Sequence, residues 1–369
     1  MIPFNPLALQ WPDVQEQARR VFEALGQESH WILGPRVQAF ESALAARWDR
    51  SFAVGTGCGL DAIEIGLRSL GLLPGDKVMT TPLSAFATTL AILHVGAVPV
   101  FVDVDDRGLL DLSQCEKALH EIDGIRAIVP VHLYGQAMNL TRLECLRDQF
   151  HLIMVEDCAQ SIGAKFQERH VGSVGQAAAV SFYPTKNLGA FGDAGALLTS
   201  DPQIAEQARE MRDYGQKEKY LHVRYGLNSR LDELQAAMLH EVLLPHLSEW
   251  TRLRRDIARR YLSGLRKSSV RPLGTGPLEE SVWHLFPVVI EGDRERFRRH
   301  LTAEGVETAV HYPCVIPDQP LMKSTPSMIH GDIGRARWIA AREVSLPIHP
   351  WMKPADVDRV LEACLAWKP

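Results

Sequence analysis

The feature that most constrains this chain is an alternation of short apolar, β-branched runs with amphipathic stretches of helical period. Residues 51–59 read as a strand entering a glycine-rich turn, and the next residues place Leu60, Ile63, Leu67 and Leu70 on one helical stripe. Residues 77–82 read as a strand and 83–95 as a helix. Further apolar strands are expected at 98–104, 127–133, 152–155 and 177–182. Strands that are apolar on both faces and separated by helices predict an α/β fold, a mainly parallel sheet covered by helices on both sides.

The flanks extend this pattern. Residues 1–11 are aperiodic and read as an arm, followed by helices at 12–25, with Val14, Ala18, Val21 and Leu25 on one face, and at 37–48. A helix at 202–211 sits behind Asp201, residues 214–220 form a polar loop, and a long helix at 247–265 carries Arg252, Arg254, Arg255, Arg259 and Arg260. That arginine run reads as a solvated face. A strand at 283–290 and helices at 294–304 and 355–366 complete the chain. With 369 residues, a two-unit organisation is expected: 1–245 as arm and large domain, 246–369 as a small C-terminal α/β domain.

Composition narrows the partners. A formal net charge of -5 offers no global attraction for nucleic acid or anionic lipid, so an anionic ligand must be held by a local site. No apolar run approaches the ~20 residues needed to span a bilayer, and no secretory leader is evident. The six cysteines, Cys58, Cys115, Cys145, Cys158, Cys314 and Cys364, are scattered without metal-ligand spacing. They are expected as reduced thiols in a cytoplasmic enzyme, with no metal site.

Two features carry chemistry. The run ending at Val155 leads into Glu156 and Asp157, and a buried acid is costly unless partnered. The run 177–182 leads into Lys186 in a glycine-flanked loop, so an acid and a lysine are set to meet where open α/β sheets bind ligands. Upstream, Gly55-Thr-Gly57-Cys-Gly59 opens a helix, a geometry that favours anions. It is not a dinucleotide fingerprint, because Leu60 occupies the third glycine position; that argues against a nicotinamide-dependent oxidoreductase.

Asp157-x-x-Gln160, Ser181-Phe-x-x-x-Lys186-Asn187, Ile32-Leu-Gly-Pro35 and His311-Tyr-Pro313 together resemble the DegT/DnrJ/EryC1/StrS aminotransferases, the fold type I sugar-nucleotide aminotransferases that use pyridoxal phosphate (PLP). The resemblance implies that Lys186 forms the Schiff base with the cofactor aldehyde and carries the proton between carbons. It implies that Asp157 holds the pyridine nitrogen protonated, Gln160 lies near the phenolic oxygen, and Phe86 stacks on the ring. It puts the phosphate on Ser181 and the backbone N–H groups of Gly59 and Leu60; Leu60 departs from the family's pattern by offering no hydroxyl. Asn228, in Asn228-Ser-Arg-Leu-Asp-Glu-Leu-Gln235, is implied to reach the phosphate of a neighbouring subunit, which makes the enzyme a homodimer with shared sites. Tyr183, Lys219 and His311 become the substrate-side candidates. The implied reaction moves an amino group from L-glutamate to a nucleotide-linked keto-sugar, with greatest similarity to the dTDP-3-keto-6-deoxyhexose 3-aminotransferases. Amination at C4, a PLP-dependent sugar dehydratase and a non-catalytic PLP-binding protein are the alternatives on the same scaffold. Lys186 speaks against the dehydratase, whose members usually carry His there.

Overall fold

The computed structural model describes residues 1–274 and 276–369. Its strands are β1 (Phe52–Thr56), β2 (Lys77–Thr80), β3 (Val98–Phe101), β4 (Ile125–Val129), β5 (Ile153–Asp157), β6 (Lys165–Phe166), β7 (Arg169–His170), β8 (Ala177–Ser181), β9 (Gly195–Thr199), β10 (Gln216–Glu218), β11 (Leu221–His222), β12 (Val270–Pro272), β13 (Phe286–Ile290), β14 (Met328–Ile329) and β15 (Glu343–Leu346). Eight form one sheet in the order β1-β9-β8-β5-β4-β2-β3-β14. Strands from β8 through β14 run parallel, and β9 is antiparallel to both its neighbours.

Helices cover both faces, as the double-sided apolar strands require. On β8, Ala178 and Val180 join a core with Val14 and Val21 of α1 (Trp11–Glu28) and Phe40 and Leu44 of α2 (Pro35–Arg47). The alternate residues Ala177 and Ala179 join a second core with Ile63 and Leu67 of α3 (Gly59–Ser69). Alanines on β8 leave room for helices to approach both sides of the sheet. The helix α4 (Phe86–His94) follows β2.

The C-terminal part carries a smaller antiparallel sheet, β12-β13-β15, with Tyr261, Phe286, Val288, Phe297, Leu346 and Val360 in its core. The chain crosses between the two sheets at both ends. Ile2 of the arm forms a parallel bridge with Val306 and is buried in the small core. Conversely, β14 adds to the edge of the large sheet beside β3, and Ile333, Ala336 and Ile339 pack into the large unit's core.

Two expectations change. The polar stretch after Tyr214 is ordered as the hairpin β10–β11. The arginine run is not uniformly solvated: Arg252 and Arg259 pair with Glu249, Asp256 and Glu279 on the surface, whereas Arg254 is 5% exposed. Arg254 shares a helix face with Trp250, Ala258 and Tyr261, and its Nη1 donates to the carbonyls of Trp283, His284 and Ile348. Those three acceptors satisfy a guanidinium that the apolar face carries inward.

Candidate active site

The C-terminal ends of β5 and β8 meet the N-terminus of α3 at one edge of the large sheet, the place where α/β sheets bind ligands. Because β9 is antiparallel, its first residue, Gly195, lies level with Thr56 of β1 and Ser181 of β8. A Cβ at Gly195 would stand 2.3 Å from the carbonyl carbon of Cys58 and 2.6 Å from the nitrogen of Gly59. Only glycine lets β9 and the start of α3 come this close. Gly59 is equally tight, since a Cβ there would lie 2.8 Å from Ser181 Cβ.

A cavity of about 250 Å³ fills this edge. Of the residues expected at the site, Gly59, Leu60, Asp157, Gln160, Ser181, Tyr183 and Lys186 all line it. Cys58 caps α3, its sulfur accepting from Asp61 N at 3.5 Å. Gly59 and Leu60 are the first residues of that helix, so their N–H groups have no acceptor within it and remain available to an anion beside Ser181.

At the other pole, Asp157 ends β5 with 4% exposure. Thr88 Oγ1 donates to its Oδ2 at 2.7 Å and Ala159 N to its Oδ1 at 3.0 Å, which fixes the carboxylate plane. Gln160 is equally constrained: its Oε1 accepts from Tyr134 N at 2.8 Å and its Nε2 donates to Tyr312 Oη at 3.1 Å. Lys186 sits in the turn after β8, where its own N–H bonds to the Tyr183 carbonyl. Burial lowers its amine from 10.5 to about 8, against the opposing pull of Asp157. A lysine so tuned is a far better nucleophile at neutral pH than a solvated one.

The preceding acid, Glu156, points to the opposite face of β5. Its oxygens accept from the N–H groups of Gly172, Val174 and Gly175 and from His132 Nε2. Since Met138 N donates to His132 Nδ1, both imidazole nitrogens of the buried His132–Glu156–Cys158 group are engaged in hydrogen bonds. All six cysteines are free thiols.

Four expected residues lie off the cavity lining. Phe86 begins α4 between the lining residues Ala85 and Ala87 and packs against Phe101, Ile316 and Met322. Asn228 is exposed and forms a bridge with Asp213. Lys219 is near the turn of the β10–β11 hairpin, its amine 5.2 Å from the Tyr220 ring. His311 stands behind the cavity, joined to it through its neighbour Tyr312 and through Tyr134, whose hydroxyl donates to the His311 carbonyl.

Thr88, Tyr134 and Tyr312 were not singled out by the sequence. Tyr312 belongs to the His-Tyr-Pro motif, but neither Thr88 nor Tyr134 has a local signature, because each acquires its role through contacts 69 and 26 residues away.

These residues fit PLP. The cavity offers unpaired helix N–H groups for a phosphate, a fixed carboxylate for a ring nitrogen and a lysine of lowered basicity for an aldehyde, in a space whose Gly59 end a Cβ would obstruct.

Comparison with known proteins agrees. Residues 12–365 match the DegT/DnrJ/EryC1/StrS aminotransferase family. A relative from Streptomyces venezuelae, dTDP-3-amino-3,4,6-trideoxy-alpha-D-glucose transaminase, is 38% identical over 370 residues, covering 99% of this chain and 96% of the relative. The crystal structure of S. venezuelae DesV in complex with a ketimine intermediate superposes with a TM-score of 0.93 at 38% identity, over 98% of this chain and 97% of that one. The Bacillus subtilis protein ntda, solved with bound cofactor PMP, superposes with a TM-score of 0.91 at 29% identity, over 98% of this chain and 84% of that one.

Proposed function

The chain belongs to the DegT/DnrJ/EryC1/StrS aminotransferase family, and on that footing we propose that it transfers the amino group of L-glutamate to C3 of a dTDP-linked 3-keto-6-deoxyhexose. The observation that carries this reading is the convergence of Lys186, Asp157 and Gln160 on one cavity that also holds an open helix N-terminus. The similarity to the S. venezuelae transaminase supports the choice of sugar and carbon.

When bound, PLP supplies the electron sink that acidifies the carbon bearing the amino group. The residues do the rest. Asp157, held by Thr88 and Ala159, keeps a proton on the ring nitrogen. Lys186, with its lowered basicity, would hold the cofactor through its amine and, when free, would move the proton between the carbon bearing the amino group and the cofactor. Gly59, Leu60 and Ser181 would hold the phosphate at the end of the cavity opposite Asp157. Tyr183, 52% exposed and part of the lining, is our candidate to meet the sugar.

A homodimer fits the surface beside the cavity. Trp11 and Phe191 are 41% and 45% exposed and pack edge to face at 6.0 Å, and Phe191 is two residues from Asp193 of the lining. Tyr214, Tyr220 and Tyr225, which are 46%, 80% and 92% exposed, offer further aromatic surface to a second copy. In that arrangement Asn228 and Lys219 serve the partner's site, Asn228 at the phosphate and Lys219 at the substrate diphosphate. The free thiols support a cytoplasmic setting.

The test is an absorbance spectrum of the holoenzyme before and after L-glutamate. The visible band of the lysine-bound cofactor is expected to give way to the shorter-wavelength amine form, and a dTDP-3-keto-6-deoxyhexose to restore it. Restoration only by a 4-keto-sugar would move the reaction to C4; no response to glutamate would leave a PLP-binding protein without this activity.

A further inference from the structure

Glu343, the first residue of β15, is fully buried and has no cationic partner within salt-bridge distance among the described residues. Its Oε2 accepts from His311 N at 2.6 Å and its Oε1 lies 2.5 Å from Ser345 Oγ. Ser345 Oγ lies in turn 2.9 Å from His311 Nδ1. The three groups form a line: carboxyl, hydroxyl, imidazole. Beyond the line, His311 Nε2 has no hydrogen-bond partner among the described residues, yet is not sealed from solvent. The ring is held in place by Phe4, stacked at 5.8 Å, and by the Tyr134 hydroxyl on its carbonyl.

A hydroxyl has one proton to give, so the line has two consistent states. With Glu343 ionised, Ser345 donates to Oε1 and must accept from His311, which places the imidazole proton on Nδ1 and leaves a lone pair on Nε2. With Glu343 protonated on Oε1, that proton points at Ser345, Ser345 donates to Nδ1, and the imidazole proton sits on Nε2. Passing from the second state to the first releases one proton in total. It leaves Nε2 for solvent, the serine proton moves to Nδ1, and the carboxyl proton moves to the serine.

We propose that Glu343 is a positioning residue which, through Ser345, sets whether His311 Nε2 donates to or accepts from the bound sugar nucleotide. This rests on the function proposed above and on a substrate-side role for His311, whose Nε2 is open to solvent beside Tyr312 at the back of the cavity. Burial, opposed by Ser345, His311 N–H and the charges of Arg294 and Arg298, raises the Glu343 carboxyl to about 8. Burial and then Lys186 lower the imidazole to about 4, so His311 stays neutral while its tautomer changes. The other titratable groups facing the line are Tyr134 and Tyr312, both held neutral by burial, and His284, lowered by burial and by Lys186, Arg254 and His311. Lys186 titrates in the same range as Glu343, so a pH profile of activity alone does not separate them.

Histidine-selective 15N NMR of the holoenzyme separates them directly, with the His311 signals identified by their loss in His311→Asn. The wild-type ring is expected to carry its proton on Nε2 below about 8 and on Nδ1 above it. In Glu343→Gln the amide oxygen takes the His311 N–H and the amide NH2 faces Ser345, so the Nε2–H form is expected at every pH. Ser345→Ala breaks the line and should likewise abolish the pH response. A wild-type tautomer that ignores pH, or one that still switches in both variants, overturns the relay. In steady-state kinetics, KM for the keto-sugar nucleotide should step with pH in the wild type and not in Glu343→Gln, while the glutamate half-reaction keeps one profile in both. Identical sugar profiles alongside a switching tautomer would overturn the link to substrate. The NMR result decides the relay even if no sugar nucleotide proves to be aminated.

Discussion

Glu156 and Asp157 are consecutive on β5, and their carboxylates serve opposite faces of the sheet: Glu156 gathers three backbone N–H groups and His132, whereas Asp157 takes Thr88 and Ala159 at the cavity. The two-residue period of a strand thus divides one acidic pair between architecture and chemistry.

Glu156→Gln should destabilise the fold without emptying the cavity. An amide nitrogen would oppose donors that now find an acceptor, at a cost of about 1–3 kcal/mol, read as a lower urea midpoint. Burial alone would raise the Glu156 carboxyl, but His132 and the N–H groups of Gly175 and Gly172 hold it below the ordinary 4.5. Its stabilisation is therefore complete above pH 4.5 and fades as pH falls further, and the Gln variant should lose that acid-side slope.

Thr88→Val keeps the shape of the side chain and removes the donor to Asp157. Loss of one charge-assisted bond should weaken PLP binding or transamination by roughly ten-fold, from about 1.5 kcal/mol. Titration of apoenzyme with PLP measures it, and an unchanged affinity and rate would show that Ala159 alone orients the carboxylate.

Lys186→Ala should show no visible band of lysine-bound cofactor. In the wild type, attachment requires the neutral amine, so the rate at which apoenzyme captures PLP should rise with pH through about 8. A rise centred near the ordinary lysine value would mean that the side chain is not buried as described.

Gly195→Ala forces a methyl group into the carbonyl of Cys58. Since that contact seats the start of α3, the variant should bind PLP more weakly by at least about ten-fold, in keeping with a strain of a few kcal/mol. Equilibrium dialysis with PLP would detect it.

Mixed dimers test the shared site. Combining Asn228→Ala subunits with Lys186→Ala subunits should restore part of the activity, because one of the two sites then has both residues intact. No recovery in heterodimers shown to form would count against Asn228 acting across the interface.

Much of this was legible beforehand because it is periodic or local. The strands around β5 and β8, the glycine-rich entry to α3, and the acid and lysine at adjacent strand ends all announce themselves within a few residues. Phe86 shows the limit: its assignment rests on the family resemblance alone, and α4, which begins at that residue, sets it between Ala85 and Ala87 of the lining. Thr88 and Glu343 show another. Each matters through a partner distant in sequence, Asp157 and His311, and no window of residues reveals that pairing. Arg254 was misjudged for a related reason, since five arginines on one helix do not all face the same way.

The exchange of chain ends has an evolutionary consequence. With Ile2 bridged to Val306 and β14 completing the edge of the large sheet, neither unit is a self-contained module. A recombination event that exchanged residues 246–369 as a cassette would take the large sheet's outer strand with it and leave Ile2 facing a pocket it did not evolve with. New sugar specificities in such a scaffold are therefore expected to arise by point substitution along the shared seam, not by exchange of whole domains.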